Sequence, residues 1–126
     1  MRDGKLEFKR EIYIFENHFE EFYKKQPGDI KEKIYWILRI IESHKIIGSQ
    51  YLKLVLDGLF EIRISKGRVE IRVFCLIDTG NRLILLNSFQ KKSQKIPKDE
   101  LKKAKELQKK YRSKGERRFN ALGKIF

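Results

Sequence analysis

The chain has 126 residues, with 30 Lys and Arg against 17 Asp and Glu, a formal charge of +13 and a pI near 9.9; a chain this short builds one core, which excludes a second independent domain. Its 40% hydrophobic and 12% aromatic content is enough to fold, which excludes wholesale disorder, and one cysteine with two histidines excludes a disulfide framework and a Cys/His zinc cluster. There is no signal-peptide core and no apolar run of bilayer-spanning length, so the expectation is a soluble, reduced, cytoplasmic protein without membrane contact, metal or other cofactor.

Residues 11–15, Glu-Ile-Tyr-Ile-Phe, read as a short strand rich in β-branched and aromatic side chains. Asn17 with Glu20 three positions later has the spacing of an N-cap pair, and Phe19, Phe22 and Tyr23 then share a helical face before Pro27-Gly28 stops it. Asp29 with Glu32 repeats that spacing. Ile30, Ile34, Ile37, Leu38 and Ile41 follow at three- and four-residue steps, which predicts a second amphipathic helix with its stripe in the core and Tyr35 and Trp36 at its edge.

The period then changes to two. Phe60, Ile62 and Ile64 alternate with Glu61, Arg63 and Ser65; Val69, Ile71 and Val73 alternate with Glu70, Arg72 and Phe74; Arg82 to Phe89 is a long apolar run. Asp57-Gly58 reads as a turn. Lys66-Gly67 and Asp78-Thr79-Gly80-Asn81 are connections of hairpin length, so three strands should form an antiparallel meander. Pro97 suits the start of a last helix, Asp99 and Glu100 suit its positive end, and Leu101, Ala104, Leu107 and Tyr111 give it a narrow apolar seam. The order strand, helix, helix, three strands, helix predicts an α+β domain over residues 1–112, a small antiparallel sheet with the helical pair on one face and the other face free for function. Residues 113–126, with Arg117-Arg118, read as a basic tail or docking segment.

Charge is unevenly spread. Residues 1–50 hold ten basic and nine acidic side chains, residues 51–100 ten and six, and residues 101–126 ten and two. That asymmetry points to a polyanionic partner, nucleic acid first. On the two central strands Arg63 and Arg72 come near each other if the hairpin pairs in simple register around Lys66-Gly67. Lys53 lies upstream and Phe89-Gln90-Lys91-Lys92 closes the last strand. Cations hold phosphates and aromatic rings such as Phe74 and Phe89 stack on unpaired bases, so the set suits single-stranded RNA. The same residues also permit plain cross-strand ion pairs, Arg63 with Glu70 and Arg72 with Glu61, and Phe89 equally permits a core role. Cys75 reads as a core residue, and His18 and His44 as surface or structural residues.

The blocks Leu52-Lys53-Leu54, Gly58-Leu59-Phe60-Glu61-Ile62-Arg63, Ile71-Arg72-Val73-Phe74 and Leu85-Leu86-Asn87-Ser88-Phe89-Gln90-Lys91-Lys92, closing with Ile96-Pro97 and Ala104, resemble the HigB-like branch of the RelE/ParE toxin superfamily, which includes phage-derived members. The resemblance covers residues 8–112. It implies a ribosome-dependent mRNA interferase, a metal-independent attack of the ribose 2′-OH on the adjacent phosphate, and a partner antitoxin of the HigA-like, helix-turn-helix kind, with mRNA and ribosomal RNA as further partners. By position it implies Arg72 at the scissile phosphate and Arg63 as a second catalytic cation. Lys92 or Lys91 becomes the phosphate clamp or proton donor, and Lys53 and Lys95 substrate contacts. Some relatives place a histidine or tyrosine near the C-terminal end as acid or base, whereas beyond Lys92 this sequence has Lys95, Lys98 and, distantly, Tyr111. Glu61, where some relatives carry lysine, fits either a base or a salt-bridge partner. The alternatives are a ParE-like gyrase inhibitor and a non-enzymatic nucleic-acid-binding phage protein, because one fold carries several functions.

Overall fold

The computed structural model describes residues 10–114 and 119–121. It is an α+β domain in which strands β1 (Glu11–Phe15), β2 (Leu52–Leu56), β3 (Leu59–Lys66), β4 (Val69–Asp78), β5 (Arg82–Gln90) and β6 (Phe119–Ala121) form one sheet in the order β2-β3-β4-β5-β1-β6. Three helices cover it: α1 (His18–Lys24), α2 (Gly28–Ser43) and α3 (Lys98–Lys114). The predicted meander is present, since β3, β4 and β5 pair antiparallel through the two short turns. Three pairings go beyond it, one of them between β1 and β6. β1 joins β5 in parallel, with Glu11 opposite Arg82. β2 pairs with β3 across Asp57-Gly58, where both residues have positive φ, 42° and 77°, as a two-residue hairpin requires.

α1 and α2 lie on one face, as their stripes predict, and Phe19, Ile30, Ile34, Ile37, Leu38 and Ile41 pack on Ile12, Ile14, Ile62, Ile64, Ile71 and Val73. Trp36, at the edge of that stripe, is exposed. The predicted caps are not made by side chains: Asn17 precedes α1 without a capping bond, and α2 starts one residue before Asp29, with the Pro27 carbonyl accepting from the Ile30 and Lys31 N–H groups.

The opposite face is not free, contrary to the expectation. α3 packs Ala104, Leu107 and Tyr111 against Phe15, Leu59, Phe74, Leu76, Ile84 and Leu86, which makes a second core. A bulge in β5 serves this packing: Val73 pairs with Ser88 but Cys75 with Leu85, so Leu86 and Asn87 together oppose Phe74. The extra residue lets both point at α3. Leu86 enters the second core, and Asn87 Nδ2 donates to the Glu100 carbonyl and Oε1, both at 3.0 Å. Gln108 Nε2 donates to the Asp57 carbonyl at 3.0 Å and ties α3 to the β2–β3 turn. The assumed tail is also partly built in, because Ser113 and Lys114 end α3 and Phe119–Ala121 pairs antiparallel with β1. Arg117-Arg118 lies outside the described residues. Among the described residues no helix is long and apolar enough to cross a membrane.

Tyr111 pins α3 to the far end of the sheet. Its ring meets Phe15 edge-on with centroids 5.4 Å apart, and its hydroxyl donates to Asp78 Oδ2 at 2.5 Å. That bond, opposed by burial and helped by the Thr79 N–H and the Arg82 charge, holds the Asp78 carboxyl below its ordinary 3.8. A depressed folded value stabilises the fold above the unfolded value, and the gain disappears as pH falls through the folded one. Tyr111→Phe keeps the ring and removes the bond, so urea unfolding at pH 7 should show a loss of about 1–2 kcal/mol. The difference from wild type should shrink once the pH is taken below about 4.

Candidate nucleic-acid interface

The register of β3 with β4 sets Arg63 directly opposite Arg72, on the face that carries α3. Two guanidinium groups in this position repel. Two carboxylates hold them: Glu61 Oε2 lies 3.5 Å from Arg63 Nε and 3.8 Å from Arg72 Nε, and Glu70 Oε1 accepts from Arg72 Nη1 at 3.2 Å. Arg72 Nη1 also donates to the Ile71 carbonyl at 3.1 Å. Arg72 is therefore fixed on several sides and only 4% exposed, while Arg63 is half-buried.

In front of this pair opens a cleft of about 610 Å³, within the size range of ligand sites. Five cations line it: Arg63, Arg68, Arg72, Lys91 and Lys92. Among the described residues one carboxylate lines it, Glu70, together with the polar side chains of Gln90, Ser93 and Gln94. The Lys91 N–H donates to the Glu70 carbonyl at 2.7 Å, which carries the chain past the end of β5 along the start of β4 and brings Lys91 and Lys92 to the arginines. The β3–β4 turn, with Gly67 at φ 59°, puts Arg68 on the opposite rim. Arg72 faces Phe89 across the β4–β5 pair.

The four residues expected to be catalytic, Arg63, Arg72, Lys91 and Lys92, thus meet in one cleft. The other expected residues are placed differently. Phe74 is fully buried and Phe89 nearly so, with ring centroids 5.6 Å apart in the core under α3. Base stacking by Phe74 is corrected to a core role, because α3 covers the face that was taken as open; Phe89 takes the core role that the sequence also allowed. Glu61 does not line the cleft. It is 7% exposed and sits behind both arginines, with Oε1 buried and without a hydrogen-bond partner among the described residues. Lys53 pairs in register with Glu61 on β2 and is exposed, outside the cleft wall. Lys95 is exposed beyond the wall.

Arg68, Gln90, Ser93 and Gln94 were missed. Arg68 follows a hairpin glycine, and a cation in the turn between the strands that carry Arg63 and Arg72 is a signal that was readable. The two glutamines and the serine carry no such mark. Elsewhere, burial pushes the Cys75 thiol far up, with the Glu61 charge adding to it, which suits an inert core residue. His18 meets Glu16 at 3.2 Å and His44 caps the end of α2, both away from the cleft wall. Among the described residues no three His, Cys, Asp or Glu side chains gather as metal ligands.

A small basic α+β domain with a cation-lined cleft on its sheet is the class that fold and site define. Residues 21–109 match the family described as phage derived protein Gp49-like (DUF891), and the chain belongs to that family, which is toxin-like and related to RelE and HigB. Among curated proteins none matches.

The buried carboxylate behind two arginines gives a direct test. Glu61→Gln keeps the shape but leaves the Arg63–Arg72 repulsion less compensated, and should cost about 2–4 kcal/mol in urea unfolding. Combined with Arg72→Met, the loss should be smaller than the sum of the single losses by about 1–3 kcal/mol.

Proposed function

We propose that this protein is the toxin of a type II toxin–antitoxin system and cuts mRNA in the ribosomal A site, as a ribosome-dependent endoribonuclease without a metal. The observation that carries this reading is the cleft itself, where Arg63, Arg72, Lys91 and Lys92 converge around a space of about 610 Å³. Attack of a 2′-OH on its neighbouring phosphate builds negative charge on the phosphorane oxygens, and fixed cations in a partly desolvated site stabilise that charge most when they do not have to reorganise. Arg72, locked by Glu61, Glu70 and the Ile71 carbonyl, is the transition-state cation. Arg63 orients the nucleotide. Lys91 and Lys92 clamp the phosphate, and one of them protonates the departing 5′-oxygen. Lys53 and Lys95 contact the strand outside the cleft.

The outer face of α3 supplies a second kind of contact. Lys102, Lys103, Lys105, Lys109, Lys110 and Arg112 are all exposed along it, and such a row attracts structured RNA through its phosphates without reading sequence. In the cell the activity is restrained by a HigA-like antitoxin with a helix-turn-helix domain.

Two measurements check the reading. After induced expression, primer extension on cellular mRNA should show new 5′ ends with the wild type and a loss of at least about 100-fold with a folded Arg72→Ala variant. Absence of new ends, or equal cleavage by the variant, overturns it, and inhibition of gyrase supercoiling without RNA cleavage would assign the ParE-like mode instead. On α3, Lys102→Ala, Lys105→Ala and Lys109→Ala together should weaken binding to ribosomal RNA and lower the slope of log K against log salt by about 2–3, read by fluorescence anisotropy.

A further inference from the structure

We infer that Glu70 is the general base of this site, the group that takes the proton from the attacking 2′-hydroxyl; the assignment rests on the endoribonuclease reading. The argument is one of elimination within the cleft followed by geometry. The arginines and lysines of the wall are hydrogen-bond donors without an acceptor, and its amides and serine are not bases. Among the described residues Glu70 is the one carboxylate on the wall. Glu61, the other carboxylate nearby, faces the arginines from behind and does not reach the space a substrate would fill.

Placement supports the role. Glu70 Oε1 accepts a hydrogen bond from Arg72 Nη1 at 3.2 Å. A nucleophilic oxygen and the phosphorus it attacks lie about 3–3.5 Å apart in a reactive geometry. A phosphate held by Arg72 therefore brings its neighbouring 2′-oxygen within reach of the carboxylate beside that arginine. The side chain of Glu70 is 42% exposed, open to a substrate, whereas Glu61 is closed to it.

The step balances without a further reagent. The 2′-O–H proton passes to Glu70, the oxygen's electron pair forms the new O–P bond, and the P–O5′ pair leaves on the 5′-oxygen, which takes a proton from Lys91 or Lys92. The products are a 2′,3′-cyclic phosphate and a 5′-hydroxyl end. Glu70 then loses its proton to water and the lysine regains one. Ser65 and Arg63 on β3, Arg72 on β4, Arg68 in the turn and Lys91 after β5 are the polar and charged groups around Glu70. The Ser65 hydrogen bond, opposed by burial and helped by Arg72, holds its carboxyl below the ordinary 4.5, which weakens it as a base in the free protein. A bound phosphate draws on the same Arg72 charge and so raises the basicity of Glu70 when substrate is present.

Single-turnover cleavage on programmed ribosomes tests this, comparing wild type, Glu70→Gln and Glu70→Ala, with a 2′-O-methyl RNA as the uncleavable binding probe. Glu70→Gln should lower the cleavage rate about 10²–10⁴-fold while the affinity for the probe changes less than about threefold. Formate should restore part of the Glu70→Ala rate in proportion to its concentration, which a residue that only positions Arg72 would not show. A Glu70→Gln rate within about threefold of wild type, a loss of probe affinity equal to the loss of rate, or no response to formate overturns the assignment and leaves the endoribonuclease reading standing. Absence of cleavage by the wild type overturns both.

Discussion

The site depends on two like charges forced together. Antiparallel pairing puts Arg63 and Arg72 opposite each other, and unit charges about 5 Å apart repel by about 3 kcal/mol at the effective dielectric of a protein surface. Nothing in the strand register can relieve this, because a one-residue slip would turn Ile62, Ile64, Ile71 and Val73 out of the first core. The core therefore fixes the arginines, and the arginines require the carboxylates. Glu61 answers from behind and Glu70 from the side, at 3.5–3.8 Å and 3.2 Å. The result is a rigid cationic surface whose geometry is set by hydrophobic burial on the other side of the same strands.

The second face of the sheet is divided along its length. Toward Asp78 it is a core beneath α3, closed by Tyr111. Toward Lys66 it is polar, and Phe74 and Phe89 form the boundary. The β5 bulge sets that boundary: with Leu86 and Asn87 both aimed at α3, the alternation resumes so that Phe89, and not Ser88, lies beside Arg72. The chain then leaves the sheet with Lys91 and Lys92 at the cleft. A basic helix and a basic cleft are thus neighbours on one face.

Much of this was legible in the sequence, and the omissions have physical causes. The 3.6-residue stripe of α2 and the alternation in β3 and β4 are strong because one side of each is buried and the other wet. That alternation put Arg63 and Arg72 on one face; their direct pairing comes from the turn at Gly67-Arg68, one residue later than expected, with Lys66 opposite Val69. β2 was missed although Asp57-Gly58, between Leu52–Leu56 and Leu59–Lys66, is a strong two-residue hairpin signal; at an edge, Lys53 and Leu54 are exposed and the burial pattern is lost. α3 was found with its seam but not its docking site, since a periodic stripe says that a face is buried and not against what. That single uncertainty turned Phe74 from a core ring into an expected stacking ring. The division of labour between Glu61 and Glu70 was not readable, because both alternate with arginines and only depth in the sheet separates them.

The parallel pairing of β1 with β5 also orders the events of folding. Its partners lie about 70 residues apart in the chain, and closing such a loop costs roughly 4 kcal/mol in chain entropy before any contact is gained. The meander of β3, β4 and β5 closes through turns of two and three residues and carries the cleft wall on one continuous stretch, 63–94. During synthesis the cationic hairpin is thus complete as local structure before β6, the last strand to emerge, can pair with β1. A nascent chain already presents its clustered cations while the opposite edge of the sheet is still waiting for β6.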